Sequence, residues 1–127
     1  MSTYSRLTQV FEAAPVVDFD DSAKFIFFSD CHRGDNSWAD DSSHNQILVF
    51  HALKHYYDEG FTYIEVGDGD ELWENASFKQ IRKSHSHLYW LMGEFYKDRR
   101  FFLIFGNHNI AWKYPRLTEK HLYKYYD

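Results

Sequence analysis

Three short apolar runs punctuate the chain, and each is followed at once by polar, chemistry-bearing residues. Phe25-Ile26-Phe27-Phe28-Ser29 leads into Asp30-Cys31-His32, and Tyr63-Ile64-Glu65-Val66 into Gly67-Asp68-Gly69-Asp70-Glu71. Phe102-Leu103-Ile104-Phe105 leads into Gly106-Asn107-His108-Asn109. Apolar runs of this kind predict short strands, the third buried on both faces. Thirty-eight residues separate Asp30 from Asp68, and thirty-nine separate Asp68 from Asn107. Either interval is long enough for a helical crossover back to a parallel neighbour.

Both intervals carry a helical pattern. Over 46–59, Leu48, Val49, Ala52, Leu53 and Tyr56 make an apolar stripe, and Gly60 stands at the stop. Over 76–98, Phe78, Ile81, Leu88, Leu91, Met92 and Phe95 share one side. Residues 3–12 predict a leading helix capped by Ser2 or Thr3. A connector follows over 13–21, broken at Pro15 and acidic at Asp18, Asp20 and Asp21, where a solvated loop is expected. Residues 33–45 predict a polar loop, and 118–126 a short final helix. Strand, helix, strand, helix, strand predicts a layered α/β fold with a parallel sheet, and the length suits one domain over 1–127. In such sheets the binding crevice lies at the carboxyl ends of the strands, where all three turns fall.

Composition narrows the function. With 44% hydrophobic and 20% aromatic residues, material for a core is plentiful. A net charge of −5 argues against a nucleic-acid partner, which needs a basic face to neutralise phosphates. A phosphorylated small-molecule or protein substrate stays compatible, because bound cations supply positive charge locally. The single cysteine, Cys31, excludes an internal disulfide and suits a reducing compartment. No apolar signal region precedes Pro15 and no apolar run has membrane-spanning length, so a soluble, cytoplasmic protein is expected.

Asp30, His32, Asp68, Asn107 and His108 are residue types that hold a pair of divalent cations or act beside one. In Asp30-Cys31-His32 the middle residue points away, so the outer two project to the same side. Two cations held this way activate water and clamp a phosphate, which makes metal-assisted phosphoester hydrolysis the indicated reaction class. Any one of these turns alone reads as an ordinary turn. Their recurrence in order, each after an apolar strand, carries the functional reading.

The same residues resemble the N-terminal half of the calcineurin-like metallophosphoesterases. That family's pattern runs D-x-H, G-D-x-x-D/E, G-N-H-D/E, a lone His and G-H-x-H. Asp30-Cys31-His32, Gly67-Asp68-Gly69-Asp70-Glu71 and Gly106-Asn107-His108 match its first three blocks. Ser29 to Gly34 and Gly67 to Trp73 look like bacterial members. The resemblance spans about 24–109 and implies the family's layered fold with two divalent ions, Mn²⁺, Fe or Zn²⁺. It implies Asp30 and His32 on the first ion, Asp68 bridging, and Asn107 on the second. It also implies His108 as the acid and Glu71 orienting it. Asn109 departs from the family's Asp or Glu, and the lone His and G-H-x-H have no match. By analogy the fold is incomplete at its C-terminus, with an uncovered apolar sheet able to associate with a second copy. The competing readings are a metal- or partner-binding module without activity and a phosphate-binding regulatory domain.

Other residues are weighed on position alone. Arg33, directly after the first motif, is the candidate phosphate contact. His51 and His55 are expected on a solvated helix surface, His85 packed, and Cys31 a small buried residue. His44 with Asp40 and Asp41 borders the first turn. Trp38, Trp73 and Trp112 follow the motifs as packing residues or as a platform for a substrate's organic group.

Overall fold

A computed structural model describes residues 1–124. A leading helix, α1 (Thr3–Ala13), is capped by Ser2, whose hydroxyl accepts from the Ser5 N–H, as its sequence position predicts. Strand β1 (Phe25–Phe28), helix α2 (Gln46–Asp58) and strand β2 (Thr62–Val66) form the first crossover unit. Helices α3 (Phe78–Ser84) and α4 (Ser86–Lys97) lead to β3 (Phe101–Ile104). The chain then winds through a 3₁₀ turn (Ile110–Lys113), a short α5 (Pro115–Thr118) and a π-turn (Glu119–Tyr123). The expected final helix over 118–126 is thus a π-turn in part, and its last residues lie outside the described ones.

The sheet is parallel, in the order β1-β2-β3. Phe27 pairs with Ile64, and Ile64 in turn with Phe102. Helices α2 and α4 pack on each other and on the sheet, so both lie on the same face. That face carries Ile26, Phe28, Tyr63, Phe101 and Leu103, packed against Leu53, Leu88, Leu91, Met92 and Phe95. The six apolar residues expected over 76–98 are all buried.

Among the described residues no layer covers the opposite face. Phe27 is 58% exposed, Val66 41%, Phe102 39% and Ile104 52%. β3 therefore alternates between covered and open positions, and the expectation of a strand buried on both faces is corrected. The apolar character of both sides is real, but the connectivity delivers helices to only one. Leu48 is a second correction: it is 70% exposed, while Val49 packs on the core as expected and Phe50, off the expected stripe, joins it. Among the described residues no helix is long and apolar enough to cross a membrane.

Candidate metal centre

The parallel ladder does not stop where the strands do. The Asp30 N–H donates to the Gly67 carbonyl at 3.2 Å, His32 to Asp68 at 2.9 Å and Arg33 to Gly69 at 2.9 Å. The Glu71 N–H returns to the Arg33 carbonyl at 2.9 Å, and Gly67 donates to Ile104 at 2.8 Å. This zipping carries the turns after β1 and β2 side by side beyond the sheet. Asp30, His32 and Asp68 all adopt left-handed backbone, with φ of 51°, 46° and 50°. Such conformations persist in residues with a Cβ only where the surroundings over-determine them, and they concentrate at functional sites.

The third turn docks on the second through Asp68. Its Oδ1 accepts the His108 N–H at 2.8 Å, and the carboxylate rests on the Cα of Gly106, where any Cβ would collide with it. Glycine is required there by that close approach. Asn109 is fully buried and its Oδ1 accepts the Gly106 N–H at 2.6 Å, closing the turn from inside. Asn109 is therefore a turn clamp, its side-chain oxygen bonded back to the third turn.

Two groups of potential ligands result. Asp30, His32 and Asp68 each bring one donor atom within 4.8 Å of the others. His32, Glu71 and His108 form the other group, and hydrogen bonding explains their closeness. Glu71 Oε2 lies 2.9 Å from His32 Nδ1 and 2.6 Å from His108 Nδ1. Its Oε1 accepts the N–H groups of Trp73 at 3.0 Å and Glu74 at 3.3 Å. Burial pushes the Glu71 carboxyl up, but the bonds from both histidines overcome that and hold it below its usual value. An ionised Glu71 accepts from both Nδ1–H groups, leaving each Nε2 lone pair free when its ring is neutral. The two rings meet edge to face at 4.6 Å. Hard oxygens and imidazole nitrogens in one group are a donor set suited to Mn²⁺, Fe or Zn²⁺.

Asn107 is exposed in the third turn, next to His108. Trp73 stacks on the His108 ring at 4.0 Å while staying 63% exposed. Trp38 is 87% exposed, and Trp112 is buried.

Arg33 is not where a phosphate contact would be. It is 2% exposed, and its guanidinium faces inward to Glu65 and Asp70. The two carboxylates draw it because each would otherwise be a buried, unpaired charge. Glu65 and Asp70 escaped the sequence reading. For Glu65 the signal was a carboxylate in the middle of an apolar strand, which calls for a cation across the core; Asp70, inside a polar turn, gave none.

The remaining histidines lie outside both groups, His87 against the Phe50 ring. His85 Nε2 is 2.7 Å from Asp40 Oδ2, both fully buried side chains. His121 packs near the Phe78 and Trp112 rings, while His44, His51 and His55 are exposed. Cys31 is half-buried, and burial raises its thiol to about 11, against the pull of Arg33, so it is an inert thiol at neutral pH. Compared with family models, curated proteins and solved structures, the chain matches none.

Proposed function

We propose that this chain carries the ligand-bearing turns of a dinuclear metal-dependent phosphoester hydrolase with the layered fold of the metallophosphoesterases it resembles. The observation that carries the reading is the convergence of Asp30, His32 and Asp68 at the ends of adjacent parallel strands, with donor atoms within 4.8 Å. Asp30 and His32 would hold one ion, Asp68 would bridge, and Asn107 would serve the second. Bound divalent cations supply a nucleophilic water and neutralise phosphate charge. The chain's own contribution is orientation. Glu71 holds the His32 ring with Nε2 free to bind, and it holds the His108 ring in the same sense. To protonate a leaving oxygen, His108 must carry its second proton on Nε2, the ring nitrogen that Glu71 leaves unbonded. Left-handed backbone at Asp30, His32 and Asp68 pre-sets these groups, so little reorganisation accompanies binding.

The experiment is hydrolysis of p-nitrophenyl phosphate and bis-p-nitrophenyl phosphate with Mn²⁺, before and after treatment with a chelator. Turnover that disappears with the metal and returns on its addition supports the reading. A chain that binds Mn²⁺ and cleaves neither ester would favour a second reading, a metal-binding module without turnover. A specific observation speaks for that alternative: among the described residues His44, His51, His55, His85, His87 and His121 all lie outside both ligand groups.

A further inference from the structure

Beneath the cluster lies a second, wholly buried set of charges that the proposed chemistry does not use. The Arg33 guanidinium makes a bidentate pair with Glu65, 2.7 Å to each oxygen, and reaches Asp70 Oδ1 at 2.9 Å. Glu65 also accepts from the Tyr63 hydroxyl at 2.5 Å. Asp70 accepts from the Tyr89 hydroxyl and, at 2.9 Å, from the Trp112 indole N–H. Arg33 is 2% exposed, and Glu65 and Asp70 are fully buried.

These partners come from different pieces of the chain. Arg33 follows the first turn, Glu65 lies on β2, Asp70 belongs to the second turn, and Trp112 to the 3₁₀ turn after His108. The Arg33 backbone adds its own two bonds, to Gly69 and from Glu71. Burying two carboxylates with one guanidinium is a poor way to gain stability alone, since well-packed apolar side chains often do as well. What a bidentate fork provides is fixed geometry. Gly69 fits this use: a Cβ there would strike the Glu65 carboxylate and Arg33, so the second turn lies directly on the ion pair.

We propose that Arg33 is a positioning residue for the metal site, locking the strand-end turns in the arrangement that brings Asp30, His32 and Asp68 together. The inference rests on the metal-site reading above. It makes the left-handed backbone at those three ligands a consequence of the buried fork beneath them.

The test is Arg33→Lys, which keeps the charge and removes the fork, with Trp112→Phe as a milder cut of the tie to the third turn. Amide hydrogen exchange and Mn²⁺ calorimetry are read on the full chain. Faster exchange is expected at the amides of His32, Glu71 and His108, with the amides of α4 unchanged, together with about 10–100-fold weaker Mn²⁺ binding. Trp112→Phe should show the same pattern to a lesser degree, and it decides the matter if Arg33→Lys does not fold. Parent-like protection and Mn²⁺ affinity would overturn the proposal. So would exchange rising equally in α4 and the turns, the mark of general destabilisation. A parent chain that binds no Mn²⁺ overturns the metal reading itself, before any variant is made. A variant that matches a Mn²⁺-binding parent overturns only the role of Arg33.

Discussion

Replacing Glu71 by Gln changes one atom and should disturb both imidazoles at once. Glu71 Oε2 serves His32 Nδ1 and His108 Nδ1, while Oε1 serves two backbone N–H groups. A glutamine has one accepting oxygen. If that oxygen keeps the backbone donors, the NH₂ faces the two Nδ1 atoms and drives both rings to the Nε2–H tautomer. His32 then points a proton where a cation should sit. If the amide is flipped, its NH₂ opposes the Trp73 and Glu74 N–H groups. In the first orientation two charge-assisted bonds to the imidazoles become neutral ones, and in the second two backbone N–H groups lose their acceptor, at a site only 3% exposed. At roughly 1–1.5 kcal/mol net each, folding stability should fall by about 2–3 kcal/mol. For a chain of this length that is roughly 8–12 °C in Tm. Mn²⁺ affinity should fall about 10–100-fold, or about 1.4–2.7 kcal/mol. The assays are calorimetric titration with Mn²⁺ and long-range ¹H–¹⁵N spectra of the imidazoles, which report the tautomer directly. Parent-like affinity with both rings still protonated at Nδ1 would refute the reasoning.

Four further outcomes follow from the same geometry. Asp68→Asn keeps an oxygen for the His108 N–H but removes the proposed bridging charge, so it should weaken Mn²⁺ binding more than any other single change; calorimetry decides. His108→Ala should slow ester hydrolysis about 10²–10⁴-fold while sparing much of the metal affinity, and loss of metal with unchanged turnover per bound ion would make it a ligand. His85 is held neutral because burial lowers its pKa from the ordinary 6.5 and the Asp40 contact only partly offsets this, with Arg33 and His87 also opposing its charge. The unfolded chain therefore binds a proton first, stability is full above pH 6.5 and falls as pH drops below it, and His85→Asn should flatten that step in urea melts. The open sheet face should drive self-association, and Phe27→Lys with Ile104→Lys should reduce the mass seen by light scattering.

The parts of the fold that depend on local pattern were legible in the sequence. The α2 stripe and its Gly60 stop, the strand positions and the placement of the motifs at strand ends all follow from periodicity and turn chemistry. What depended on distant partners was not. The break between α3 and α4 falls at His85, whose tie is to Asp40, forty-five residues away. Arg33 read as a phosphate contact because Glu65 and Asp70, thirty-two and thirty-seven residues on, are what turn it inward. The open face of β3 could not be read from an apolar run alone, since only strand order decides which side receives helices. At the site, residue types and spacing pointed to Asp30, His32 and Asp68. That Glu71 serves His32 as well as His108 needed the three-dimensional arrangement.

The central claim is that these turns form a divalent-metal site, and anomalous diffraction from crystals of the chain grown with Mn²⁺ tests it most directly. The account predicts an anomalous peak coordinated by an Asp30 oxygen, His32 Nε2 and an Asp68 oxygen, with Arg33 still buried beneath it. Mn²⁺ absent from that position, or found only on exposed acidic residues such as Asp18, Asp20 and Asp21, would contradict it.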